Sequence, residues 1–359
     1  MAQRVRRLPL AGASVLTLAL ALTACGGSDG TAGGQAAAGG ASSSAGNFVI
    51  GVSNTLVGNG WREQMICSVK AEALASGKVS KVISANRNGG PTEQIADLRS
   101  MISQGVNAIV VNPSDATKLN SVIAEATKKK IVVVAVDSTV TSPDAYNVTN
   151  DQVAYGRLGG EALGELLGGK GNVVEMRGIP GVPADTDRHQ GFTEALAKYP
   201  EIKVVKETNT GFDFSKGGQQ ALDLLNSSEQ VDGIWTSGPD YTVVNAFKTL
   251  GKTPVPVIGA DNNEFINQLL NDEDVKGAAV TNPAVIGAVG TSIALQVLSG
   301  QTAEKKTTLS PELWKKTDTE KLKSAYYPDR EPTYSSAVQV KPYTTYTNEQ
   351  LFACKGPGE

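Results

Sequence analysis

Two doubly wound α/β lobes, each a parallel sheet covered by helices on both faces, are predicted by three observations. Short apolar runs rich in β-branched residues recur along the chain, and they are continuous rather than alternating, so these strands are buried on both faces. Longer amphipathic segments separate them, and strand–helix alternation at this spacing makes parallel sheets. The runs are too many for one ordinary open sheet, and Tyr146–Gln152 interrupts the rhythm midway.

Taken in order, the predicted strands are Phe48–Val52, Val82–Ala85, Ala108–Val111, Ile131–Val136, Asn172–Met176, Lys203–Lys206, Gly233–Thr236, Val255–Gly259 and Gly277–Val280. The predicted helices are Gly60–Ser76, Thr92–Gln104, Lys118–Lys129, Val153–Leu167, Arg188–Lys198, Ser215–Asn226, Thr242–Leu250 and Ala284–Leu298. The first shows the logic: Trp61, Met65, Val69 and Ala73 fall on one face at helical spacing.

Ahead of the body stands a different kind of segment. Arg4, Arg6 and Arg7 precede an apolar run, Leu8 to Leu22, and Leu22-Thr23-Ala24-Cys25 closes it. A charged start, a short apolar run and small residues before a cysteine read as a lipoprotein signal cleaved before Cys25, which then carries acyl chains. The run is shorter than the about 20 apolar residues that span a bilayer. Residues 26–46 are almost entirely Gly, Ala and Ser, which cannot build a core; such a tether reaches roughly 25 Å.

Composition excludes several classes. The net charge is −3, and about −6 once Arg4, Arg6 and Arg7 are removed, with no basic stripe, so nucleic acid is not an expected partner. The chain has one histidine, His189, read as a surface residue, and no Cys-x-x-Cys spacing, so no metal site is expected. With Cys25 used by lipid, Cys67 and Cys354 remain, and in an oxidising compartment two such cysteines usually pair. That bond would pin the C-terminal tail to the first helix.

Ligands of open α/β sheets bind beyond the carboxyl ends of the strands. The residues there are Asn54, Asn112, Asp137, Asp240 and Asp261. Helix N-capping accounts for one or two such residues; it accounts less well for a polar residue on most strands of both lobes. Two apparent motifs fail. Gly164 to Lys170 imitates a phosphate loop, but Gly171 replaces the closing Ser or Thr and the segment ends a helix. Gly58-Asn59-Gly60 lacks the third glycine of a dinucleotide fingerprint.

The ordered motifs resemble the periplasmic sugar-binding proteins of the ribose/galactose type, extracytoplasmic receptors of ATP-driven importers. The resemblance runs from about Phe48 to Gly300. It rests on Asn112-Pro113-Ser114-Asp115, Asp137-Ser138, Asn150-Asp151 with Gly156, Arg188-His189-Gln190-Gly191-Phe192, Phe212-Asp213 and Gly259-Ala260-Asp261. Gly60-Trp61-Arg62 is similar to the galactofuranose-type receptors. Ser138 stands where the family has Arg, Ser237-Gly238-Pro239-Asp240 where it has Asn-Asp, and Thr281-Asn282 where it has a hinge Gln or Glu.

The resemblance implies the fold of a type I periplasmic binding protein with a three-strand hinge, the chain crossing near 149–151, 281–283 and 301–306. The expected lobes are 47–150 plus 282–305 and 151–281 plus about 306–312, with 313–359 an extension on the first lobe. It implies a monomer that closes on a monosaccharide held by Asn54, Trp61, Arg62, Asn112, Asp137, Arg188, Phe212, Asp240, Asp261, Thr281 and Asn282. Trp61 and Phe212 would sandwich the ring, arginines donate and carboxylates accept. The closed form would dock on an ABC permease, with no cofactor and no catalysis. A sugar sensor for a membrane kinase would use the same cleft. A secreted glycosidase would need Asp137 and Asp261 as a carboxylate pair about 5–9 Å apart.

Overall fold

A computed structural model describes residues 48–227 and 230–359. The signal, Cys25 and the tether lie outside the described residues.

Each of two sheets has six strands. In the first lobe the order is β11-β5-β4-β3-β1-β2, built from β1 (Phe48–Asn54), β2 (Val79–Asn86), β3 (Ala108–Val111), β4 (Val132–Val136), β5 (Tyr146–Asn150) and β11 (Lys306–Leu309), all parallel. In the second it is β12-β10-β9-β8-β6-β7, built from β6 (Lys170–Arg177), β7 (Glu201–Asn209), β8 (Gly233–Thr236), β9 (Val257–Ala260), β10 (Gly277–Val280) and β12 (Leu313–Lys315), parallel except for β12. In both orders the chain reverses direction beside the first strand of its lobe. That reversal opens a crevice beyond the strand ends, between β1 and β3 and between β6 and β8.

The expected helices form with small shifts of their ends: α1 (Gly60–Ser76), α2 (Pro91–Ser103), α3 (Asn120–Lys128), α4 (Gln152–Leu166), α5 (Pro183–Leu196), α6 (Phe214–Leu225), α7 (Asp240–Thr249) and α9 (Ile286–Leu298). The predicted helices do not include α8 (Asn263–Asn271), α10 (Thr319–Ala325) or α11 (Asn348–Ala353), and β5 forms at the segment that interrupts the predicted rhythm. The strands β3, β4, β8 and β10 are almost wholly buried, as their β-branched runs require. The first lobe's core joins Ile50, Val52, Val110, Val134 and Val136 to α1 and α9, and the second joins Val174, Ile234, Val257 and Ala279 to α7 and α8.

Two expected boundaries are corrected. Residues 306–309 belong to the first lobe, because Lys306–Leu309 pairs with Asn147–Asn150 of β5. The third crossing is therefore at 310–312, after which β12 pairs with β10 of the second lobe. Nor does the extension rest on the first lobe alone. Trp314, Leu322 and Ala325 are buried in the second lobe's core, while Val338, Tyr346 and Leu351 pack with Ala71, Val285 and Ala288 of the first. Cys67 of α1 and Cys354 form a disulfide, with Cα atoms 4.5 Å apart.

Candidate functional site

The N-terminus of α1 is set by Asn59, whose side chain accepts from the Arg62 amide at 3.1 Å. That cap fixes the turn on which Trp61 and Arg62 project toward the second lobe. The Trp61 indole donates to the Asn282 carbonyl at 2.5 Å, and Asn59 Nδ2 donates to the Phe212 carbonyl at 2.9 Å. Both bonds join first-lobe side chains to the hinge or the second lobe.

Opposite, α4 and α5 cross at very close range. A Cβ on Gly156 would lie 1.9 Å from the Arg188 carbonyl oxygen, and one on Gly191 would lie 1.9 Å from that of Val153. This contact brings Arg188 to Gln152. Arg188 Nε donates to Gln152 Oε1 at 2.7 Å, Nη1 donates to Ser237 Oγ at 2.9 Å, and the guanidinium lies 4.2 Å from the centre of the Tyr155 ring. Gln152 Nε2 donates to Asp137 Oδ1 at 3.0 Å, so one amide links the cation of one lobe to the carboxylate of the other. Gly156→Ala is expected to cost about 1–3 kcal/mol of stability, as overpacking does, and to weaken ligand binding by displacing Arg188; urea unfolding and calorimetry check the two effects.

Asp137 itself has φ 67°. The left-handed conformation, tolerated by Asp, turns its side chain off the strand end; Thr149 Oγ1 donates to its carbonyl at 2.7 Å. Phe212 also has a positive φ, 58°, and its ring lies on Gly178, where a Cβ would sit 2.0 Å from it.

Between these groups is a cavity of about 60 Å³, lined by Trp61, Arg62, Asp137, Arg188, Phe212 and Asn282, together with Asn59, Ala184, Phe214, Ser237, Gly238, Ala260 and Asn262. Its polar wall has two guanidiniums, one carboxylate, amides and a hydroxyl, and its apolar wall is aromatic. Burial lowers the Arg62 pKa, with Asp137 opposing that shift and Arg188 adding to it. Turned end for end, the Asn282 amide sets its oxygen 3.0 Å from Arg188 Nη2 and 3.3 Å from Trp61 Nε1.

Five expected ligand residues do not line this cavity, and four of them are already engaged. Asn54 Oδ1 accepts from Arg62 Nη1 at 3.2 Å, so Asn54 backs the arginine. Asn112 is the exception: it stands behind Asp137, with Nδ2 3.5 Å from Oδ2, and its buried Oδ1 has no hydrogen-bond partner. Thr281 is a hinge residue, its hydroxyl accepting from the Glu312 amide at 2.8 Å. Asp240 accepts from the Ala260 and Tyr241 amides and from Asn262 Nδ2, and burial pushes its carboxyl up to about 7. Asp261 accepts from the amides of Asn282 and Ala337 and the Ser335 hydroxyl, at 2.9, 3.0 and 2.9 Å. Its neighbour Asn262 lines the cavity instead, so Asp137 and Asp261 do not share it as a catalytic pair would.

His189 is not a free surface group. Its Nδ1 lies 2.9 Å from Oε1 of buried Glu175. Ligand atoms of Glu175, His189 and Glu207 lie within 4.8 Å of one another, although Glu207 is taken by Arg177 at 2.8 Å. Burial raises the Glu175 carboxyl to about 7. Because this is above its unfolded value near 4.5, the stability it contributes is present below about pH 4.5 and lost as pH rises through about 7. Glu175→Gln is expected to shrink the fall in unfolding free energy between pH 4.5 and 7.5, measured against wild type by urea titration.

Residues 50–302 match the protein family described as the periplasmic binding protein domain. The chain belongs to this family. Its members are binding proteins rather than enzymes. Among relatives of this periplasmic binding protein, a xylitol-binding protein of Mycolicibacterium smegmatis is 31% identical over 218 residues, 60% of this chain. That match spans 62% of the xylitol-binding protein's own length. The ribose import binding protein of Bacillus subtilis is 26% identical over 269 residues, 73% of this chain and 87% of that protein. An ABC transporter solute binding protein from Thermobispora bispora superposes with a TM-score of 0.74 at 28% identity, covering 86% of this chain and 94% of that one.

Proposed function

We propose that this chain is the extracytoplasmic solute-binding component of an ABC importer and captures a small polyhydroxylated ligand, a monosaccharide or a sugar alcohol, between its lobes. One observation carries the reading: Arg62 and Asp137 of one lobe and Arg188 of the other line a single cavity with Trp61 and Phe212. Each hydroxyl donates once and accepts up to twice. The guanidiniums supply fixed donors, Asp137 supplies an acceptor, and the rings cover C–H faces. A ligand touching both lobes at once stabilises the closed arrangement and lets a permease distinguish it.

Cys25 would hold the monomer to the outer face of the membrane, several acyl chains giving the lasting anchorage that one does not. The tether would let the body turn toward the permease.

A thermal-shift screen across pentoses, hexoses and polyols tests the reading, since a ligand at 100 times its Kd stabilises by about 2.7 kcal/mol. Stabilisation by one such compound, without turnover of glycosides, is the expected result. No shift with any of them would overturn it.

A further inference from the structure

We propose that the C-terminal extension acts as a fourth interlobe connection, and that Ser335 is the positioning residue that joins the two lobes through it. Three crossings carry the chain between the lobes, at 149–151, 281–285 and 310–312. After α10, on the second lobe, the chain passes back to α1 of the first through residues 326–337.

On the second-lobe side, the Asn263 and Glu264 amides donate to the Tyr334 and Pro332 carbonyls at 2.8 and 3.1 Å. The Ser335 hydroxyl and Ala337 amide bind the Asp261 carboxylate, and the Ser336 amide donates to the Asp261 carbonyl at 2.8 Å. On the first-lobe side, Gln64 of α1 makes a reciprocal pair with the same Ser335. Its Nε2 donates to the Ser335 carbonyl at 2.9 Å and its Oε1 accepts from the Ser335 amide at 2.7 Å. Ser335 is 1% exposed, so these bonds are not exchanged with water.

The start of α1 is shaped for this passage. A Cβ on Gly60 would lie 1.9 Å from Thr333 Oγ1. The glycine beside Trp61 and Arg62 therefore lets the extension lie against the turn that presents them, and Thr333 shares a groove at the cleft mouth with Val57 and Phe212. Opening the lobes must either pivot about Ser335 or break its bonds to one side. The connection thus restricts the open state and fixes the Asp261 carboxylate, next in the chain to Asn262, which faces the cavity. A restricted open state lowers the cost of closure and slows ligand release.

The test uses the full-length chain and the double variant Gln64→Ala/Ser335→Ala, because Gln64 binds the Ser335 backbone and Ser335→Ala alone leaves that pair in place, with Ser335→Thr, which keeps Gln64 and a hydroxyl, as the conservative variant. Hydrogen exchange without ligand is expected to rise about tenfold both at 60–66 and at 261–264, on opposite lobes, and the radius of gyration to increase. The Thr variant is expected to keep both as in wild type. An exchange increase confined to 326–359, with the radius unchanged, would overturn the proposal. A second arm rests on the proposed function and uses D-ribose, D-galactose and xylitol. For whichever of these binds wild type, the dissociation rate is expected to rise about tenfold in the double variant with little change in the association rate; an unchanged dissociation rate would overturn the proposal. If none binds wild type, the exchange and scattering measurements decide the connection on their own, and the sugar reading is what fails. Should the double variant unfold, Gln64→Ala cuts the first-lobe side alone and is read in the same way.

Discussion

Arg188→Ala is expected to raise the Kd for the cognate ligand at least about tenfold, the lower end of the about 1.5–3 kcal/mol that a hydrogen bond to a charged group contributes. Three features concentrate binding energy on this residue. It lines the cavity, it is 5% exposed, and its position is fixed by Gln152, Ser237 and the Tyr155 ring before any ligand arrives. A preset donor fork loses little rotamer freedom on binding. Arg188→Lys tests the fork apart from the charge. An ammonium keeps the positive charge but cannot reach Gln152 and Ser237 in the same planar arrangement, so the Lys variant is expected to bind far more weakly than wild type. Calorimetry supplies Kd, and a thermal melt separates binding loss from unfolding. A Kd within threefold of wild type in the Ala variant would show that the cavity is not where the ligand sits.

Of the strand-end residues, Asp137 alone lines the candidate cavity, because it ends a buried strand and turns into it. Trp61, Arg62 and Arg188 lie on helices, where spacing alone favours packing or a solvated face, and the family resemblance singled them out. The expected residues that stand off the cavity do so for two physical reasons. Along an extended chain successive side chains point to opposite sides, so choosing Asp261 rather than Asn262 selects the wrong face, and only Asn262 lines the cavity. The carboxylate of Asp261 is instead bound by Ser335 and Ala337, more than 70 residues away in a tail without periodicity. Asp240 is drawn inward in the same way, by Asn262 and the Ala260 amide. In the fold, the buried strands announced themselves by β-branched runs. Lys306-Thr307-Thr308-Leu309 did not, because a half-exposed edge strand is recruited through its backbone rather than by burying side chains.

Reducing or deleting the Cys67–Cys354 bond is expected to lower stability by about 2–5 kcal/mol, or about 4–10 °C in Tm for a chain of this size. The bond closes a loop with a sequence separation of 287 residues, nearly the whole described chain, so the chain-entropy gain is near the upper end of the usual range. Its position adds a second effect. Cys67 lies one turn beyond Gln64 on α1, and Cys354 ends α11, so the bond fastens the far end of the extension to the helix that carries Trp61 and Arg62. Other contacts share that duty: the Thr345 amide and hydroxyl donate to the Glu72 carboxylate at 2.8 Å each, and Lys70 pairs with Glu359. The pair at the surface contributes little. The Thr345–Glu72 bonds and the Val338, Tyr346 and Leu351 cluster should therefore keep the tail folded without the disulfide, at reduced stability. Cys67→Ser/Cys354→Ser and wild type in dithiothreitol are expected to melt together, below oxidised wild type. A Tm within 1 °C of oxidised wild type would mean that packing alone fixes the tail and that the bond closes a loop already closed.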